Sequence, residues 1–121
     1  MPFIVHNAPL WEGRKVGTGQ CVALVQAASH VPNTASWKQG IRVLSASAGE
    51  IAVGTVIATM EDGHYANHSH GNHAAIYLGH DATGIYVIDQ WIGHPARPRF
   101  IQDRGNQGSP SNDASKFYVV E

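Results

Sequence analysis

Residues 73–91 constrain the fold more than any other stretch. HAAIYLG (73–79) and GIYVIDQW (84–91) are short runs rich in β-branched and aromatic residues, and His80 to Thr83, followed by Gly84, reads as a hairpin turn between them. So short a link leaves no room for a helical crossover, and the two strands pair antiparallel. Three more strands are expected: VIATM (56–60) after the Gly54-Thr55 turn, RPRFI (97–101) and KFYVV (116–120). Pro95 and Pro98 suit RPRFI to a sheet edge or a strand start, where a missing N–H costs no ladder bond. Upstream, QCVALVQAASH (20–30) is the helix candidate, ended by Pro32 and Asn33, with Cys21, Leu24, Val25 and Ala28 on one face. Residues 34–39 are expected to form a second short helix carrying Trp37 and closed by Gly40. Residues 1–19, 61–72 and 102–115 read as loop. A helix followed by an antiparallel sheet is an α+β pattern with helices on one side. The length of 121 residues fits a single domain over residues 1–121.

The sequence holds one cysteine, so no internal disulfide is possible and the thiol is free for other chemistry. Hydrophobic residues make up 43% of the chain, enough for a core without metal or disulfide staples. A net charge of −1 gives the chain as a whole no basic surface for nucleic acid. No apolar stretch approaches the ~20 residues of a membrane span. The segment MPFIVHNAPLWEGRKVG lacks the basic start and apolar run of a signal peptide, so a target outside the cytoplasm requires some other carrier.

Cys21 opens the expected helix directly after the glycine-rich turn GTGQ (17–20). A nucleophilic cysteine must be a thiolate, and both a helix N-terminus and a neighbouring imidazolium lower its pKa. The first helical turn also offers free N–H groups that can hold an oxyanion, and Gln20 is a candidate for a further donor. The competing reading of Cys21 is a small buried residue packed on the helix, and of Gln20 a helix-start residue without catalytic duty. His73 begins a strand, and alternation sets His73, Ala75 and Tyr77 on one face. At that rim, beside small alanines, a helix end can pack close enough for a Cys–His pair. Asp89, an acid inside an apolar run, needs a partner when buried: the imidazole of His73 in a triad, or an arginine. The triad depends on register. With a loop of Asp81-Ala82-Thr83, residue 75 faces 89 and 73 faces 91, which leaves Asp89 diagonal to His73 on the same face. A one-residue shift would put them on opposite faces.

His64, His68, His70 and His73 lie close together in sequence, a composition that can bind zinc. The spacing His68-x-His70-x-x-His73 matches no common structural zinc pattern and has no second cysteine to complete it, so a polar loop beside the active site is the preferred reading. Trp37 and Trp91 read as core or groove residues.

GTGQCVALVQ, GNHAAIYL and YVIDQW, with AVGTVIATM (52–60), resemble the papain-like cell-wall peptidases of the NlpC and CHAP type over roughly residues 17–101. The resemblance implies a cysteine-bearing helix packed on an antiparallel sheet, with Cys21 as nucleophile, His73 as base and Asp89 as orienting residue. Related enzymes often carry histidine, glutamate or asparagine at that third position. The compact size makes the chain similar to type VI secretion amidase effectors. That likeness implies cleavage of an amide bond in the peptide stem or cross-link of peptidoglycan, action in a recipient cell's periplasm, and neutralisation by an immunity protein in the producer. No metal or other cofactor enters the implied chemistry. Rival readings on the same layout are a Cys–His acyltransferase, a protease acting on proteins, or a non-catalytic binding module with a groove lined by Trp91 and Tyr77.

Overall fold

The computed structural model describes residues 2–66 and 68–121; Met1, and Asn67 within the expected 61–72 loop, lie outside the described residues. Six strands form one antiparallel sheet: β1 (Gln39–Arg42), β2 (Val56–Thr59), β3 (Ala74–Asp81), β4 (Gly84–Trp91), β5 (His94–Gln102) and β6 (Phe117–Val120), in the spatial order β1-β6-β2-β3-β4-β5. Alternation along the strands divides the apolar residues between two cores. Val56, Ala58, Ala74, Ile76 and Ile88 face one way and pack with Leu24 and Val25 of α1 (Cys21–Ser29), the one α-helix among the described residues. Ile57, Ala75, Tyr77, Val87, Ile101 and Phe117 face the other way. There they are covered by Val43 and Ala114 from two 3-10 turns, Val43–Ser45 and Ala114–Lys116. The α+β arrangement with its helix on one side is as expected from the sequence, and short turns, not helices, seal the second face. Each fully buried Ile or Val contributes about 1.5–3 kcal/mol relative to exposure.

Helix α1 starts from an extended Gln20 (φ −76°, ψ 156°) and stops where His30 turns left-handed (φ 59°), its N–H bonding back to the Gln26 carbonyl. The second helix expected over residues 34–39 does not form. Only Thr34–Ser36 makes a 3-10 turn, capped by the Asn33 side chain on the Ala35 N–H. Trp37 is fully buried, with its Nε1 donating to the Pro32 carbonyl at 2.8 Å. Past it, Lys38 and Glu121 exchange backbone hydrogen bonds and the chain enters β1 against β6. A strand recruited by a partner about eighty residues downstream leaves no local signature, which is why no strand is expected over residues 39–42 from sequence alone. β5 is an edge strand, as its prolines suggested, and runs longer than RPRFI.

The β3–β4 hairpin turns on two residues, Ala82 and Thr83, with Asp81 opposite Gly84, not on the three-residue loop expected. Uninterrupted, that register would set Asp89 opposite Ile76, on the helix-facing side. A bulge at Leu78 intervenes: Gly79 pairs with Tyr86, but Tyr77 pairs with Val87 and Ile76 with Ile88. The extra residue restores the register in which Ala75 lies opposite Asp89, so Asp89 and His73 share a face.

Candidate active site

The turn before Cys21 is built from glycines. Gly19 is buried at φ 88°, a conformation costly for any residue with a Cβ, and its N–H bonds back to the Val16 carbonyl. This tight turn delivers Cys21 to the first position of α1, half-buried, where N–H groups of the first helical turn lack intrahelical partners.

His73 stands immediately before β3, 5% exposed. Its backbone N–H donates to Thr59 Oγ1 at 3.0 Å, and its ring packs edge-on against Phe117 and Trp91. Nε2 lies 2.7 Å from Asp89 Oδ2, and Cys21 is near enough to the ring for thiol and imidazole to shift each other's titration. With Nε2 taken by the carboxylate, Nδ1 is the nitrogen left for sulfur. Asp89, 1% exposed, also receives Arg99 Nη2 at 2.6 Å and Nε at 2.9 Å. Both partners considered for it from sequence, the imidazole and an arginine, are therefore present together. Arg99 in turn donates to Asn112 Oδ1 at 3.1 Å and lies 5.1 Å from the Trp91 ring centre.

The electrostatics favour an ion pair. Burial pushes the Cys21 thiol up, but His73, the Ala74 N–H and the Tyr65 hydroxyl together hold it below the ordinary thiol value. Burial also disfavours imidazolium, yet hydrogen bonds to Asp89 and Cys21 outweigh it and raise His73 to about 9. Burial alone would raise Asp89; His73 and Arg99 overcome this and keep it ionised. Tyr65 Oη lies 3.9 Å from Cys21 Sγ. Burial and the neighbouring thiolate hold its proton in place, so it remains a donor.

The structure thus brings Cys21, His73 and Asp89 into one cluster. Gln20 sits beside it, but its side chain is exposed and makes no hydrogen bond to a described residue. His64, His68 and His70 are exposed; His68 pairs with Glu61. Among the described residues, no group of three or more His, Cys, Asp or Glu is placed to hold a metal ion. Trp91, 39% exposed, lines a groove of about 350 Å³ with His73, Arg99, Asn72, Ser111 and Asn112. Tyr77 does not line it: it is buried in the second core, with its hydroxyl 2.6 Å from His80 Nδ1. Tyr65, Arg99 and the buried Gln90 were not singled out from sequence. Each reaches the site through contacts of tertiary structure, and the only advance signal was the general need of a buried Asp89 for a cation.

A helix-borne cysteine set against a strand-borne histidine, on an antiparallel sheet with a carboxylate on the next strand, is the layout of the papain-like fold of NlpC and CHAP type. A family model described as domesticated amidase effector 2 matches residues 4–120, and the chain belongs to that family. A type VI secretion amidase effector 2 protein of Salmonella typhi is 39% identical over 135 residues, covering 100% of this chain and 100% of the relative. The domesticated amidase effector 2 of Ixodes scapularis is 35% identical over 105 residues, 84% of this chain and 70% of the relative. The solved structure of a type 6 secretion amidase effector 2 superposes with a TM-score of 0.86 at 38% identity, covering 98% of this chain and 94% of the other.

Proposed function

We infer that residues 1–121 form one papain-like amidase domain that hydrolyses an amide bond in the peptide stem or cross-link of peptidoglycan, as an antibacterial effector of type VI secretion. The observation that carries this reading is the buried chain Cys21–His73–Asp89 in a chain of the amidase effector family. In the proposed reaction the Cys21 thiolate attacks the scissile carbonyl and a C–S bond forms. The resulting oxyanion is held by N–H groups at the start of α1, with the exposed Gln20 carboxamide as a further donor. His73 gives its Nδ1 proton to the leaving amine, the C–N bond breaks, and a thioester remains. His73 then takes a proton from water, which attacks the thioester and releases a carboxylate and the thiolate. Asp89 keeps Nε2 protonated and the ring aimed at sulfur. The groove walled by Trp91 and Arg99 lies beside His73, where the leaving amine departs. Delivery by a secretion machine places the activity in a recipient's periplasm and calls for an immunity protein in the producing cell.

Digestion of purified sacculi with mass analysis of the products tests the reading. Wild type releases peptide fragments, and Cys21→Ala releases none while keeping its melting curve. Undiminished release by Cys21→Ala ends the mechanism, and cleavage of a protein substrate but not of sacculi ends the substrate assignment.

A further inference from the structure

Gln90 is fully buried on β4, one residue beyond Asp89. Alternation points the two side chains to opposite faces of the sheet. Asp89 meets His73 on one face, and Gln90 reaches the glycine turn before Cys21 on the other. Its Oε1 accepts from the Val16 N–H at 3.0 Å, and its Nε2 donates to the Val16 carbonyl at 2.9 Å and to the Gln20 carbonyl at 2.7 Å. The partners fix the orientation of the amide, because a backbone N–H can only donate and a carbonyl only accept. Val16 opens the turn, as acceptor of the Gly19 N–H, and Gln20 closes it, as the residue before the nucleophile. Both ends of the turn are therefore pinned to the strand that also carries Asp89.

We propose that Gln90 is a positioning residue of the active site, fixing the turn before Cys21 to β4 and thereby setting the separation of thiol and imidazole. Two adjacent residues of one strand then hold the two halves of the site, Asp89 the base and Gln90 the nucleophile's turn. A carboxamide is the side chain suited to this: it offers one acceptor and two donors in a plane, and all three are used. Leaving two carbonyls and an N–H unsatisfied in the interior would favour a shifted turn that finds other partners. A displacement of about 1 Å between reacting groups costs on the order of 10²-fold in rate.

The proposal rests on Cys21 as the reactive thiol, and its test needs no knowledge of the substrate. Alkylation of Cys21 by iodoacetamide is followed against pH in the whole chain for wild type, Gln90→Glu and Gln90→Met. The glutamate keeps the volume and the acceptor for Val16 but has no donors; the methionine keeps the shape and none of the bonds. In both folded variants the thiol titration moves up toward the ordinary value of 9.0, and alkylation at pH 6 slows at least ~10-fold. On sacculi, kcat falls on the order of 10²-fold with KM unchanged. A residue with only a structural role would lower the melting temperature and leave the titration midpoint in place, so folded variants with wild-type midpoint and kcat overturn the proposal. If neither variant folds, hydrogen exchange in the native protein decides. A Val16 amide as protected as those of β4 supports the tie, and one that exchanges like an exposed loop amide refutes it. Failure of peptide release with an intact alkylation difference would count against the substrate reading and not against Gln90.

Discussion

At the scale of single residues, the sharing of Asp89 between His73 and Arg99 decides how the site titrates. Arg99 joins His73 in favouring the charged carboxylate, so in the proposed mechanism the proton that matters is the one on His73. The Cys21–His73 ion pair requires that proton, and His73 loses it around pH 9. Activity on sacculi should therefore hold through neutral pH and fall ~10-fold per pH unit well above pH 9. A rate still rising at pH 10.5 would exclude His73 as the acid. Stability follows the same group. A folded pKa raised from 6.5 to about 9 gives a contribution that is full below pH 6.5 and lost as pH rises through 9. Cys21, its pKa lowered from 9.0, contributes with the opposite sign over the same range, so the ion pair as a whole should leave the melting temperature nearly flat between pH 6.5 and 9. Asp89, with its pKa lowered, contributes in the opposite range, above about pH 3.8 and progressively less in stronger acid. That Cys21, His73 and Asp89 would meet was legible in the sequence, because the proposed chemistry calls for those side chains at a helix start, a strand rim and a neighbouring strand. Tyr65 and Gln90 were not, since Tyr65 is an ordinary aromatic and Gln90 an ordinary amide until folding sets one beside Cys21 and the other against Val16 and Gln20.

At the scale of elements, the ends of α1 show which local rules won. His30 adopts φ 59° at the helix C-terminus, exposed to solvent, where glycine would bear no strain. His30→Gly should raise stability by about 0.5–1 kcal/mol, visible as an increase of a few degrees in the thermal melt with unchanged activity. A decrease would mean that the His30 side chain contributes more than its backbone strain costs. The helix and the β3–β4 hairpin were readable because periodicity and turn chemistry are local. β1 was not: QGIR has no strand pattern of its own and is held by β6, with Gln39 opposite Val120. The hairpin carried two errors of reading that cancel. A turn one residue shorter than expected and a bulge at Leu78 return the register near the site to the one the proposed triad needs. Bulges are written in pairing and not in composition, so the cancellation could be seen only in three dimensions.

At the scale of the whole molecule, the sheet keeps two apolar cores apart, and the site lies at the end of the sheet, with Cys21 and Tyr65 on the side of the first core and His73 and Asp89 on the side of the second. Trp37 belongs to the first core. Its ring meets that of Tyr65 at a tilt of 59°, with ring centres 5.0 Å apart, and Tyr65 touches Cys21. Trp37→Ala should cost about 3–5 kcal/mol of stability in denaturant unfolding. In the fraction that remains folded it should also slow Cys21 alkylation, because Tyr65 loses the wall that holds it toward the thiol. Wild-type alkylation beside a large loss of stability would mean that the core does not brace the site. The single thiol has a consequence for the life of the protein as well. A molecule with one thiol has no wrong bridge to form while it refolds in an oxidising space, and so needs no isomerase there. It equally lacks a second thiol of its own to rescue a sulfenic acid at Cys21, so each copy exposed to peroxide should fall silent one molecule at a time, until an outside reductant restores it.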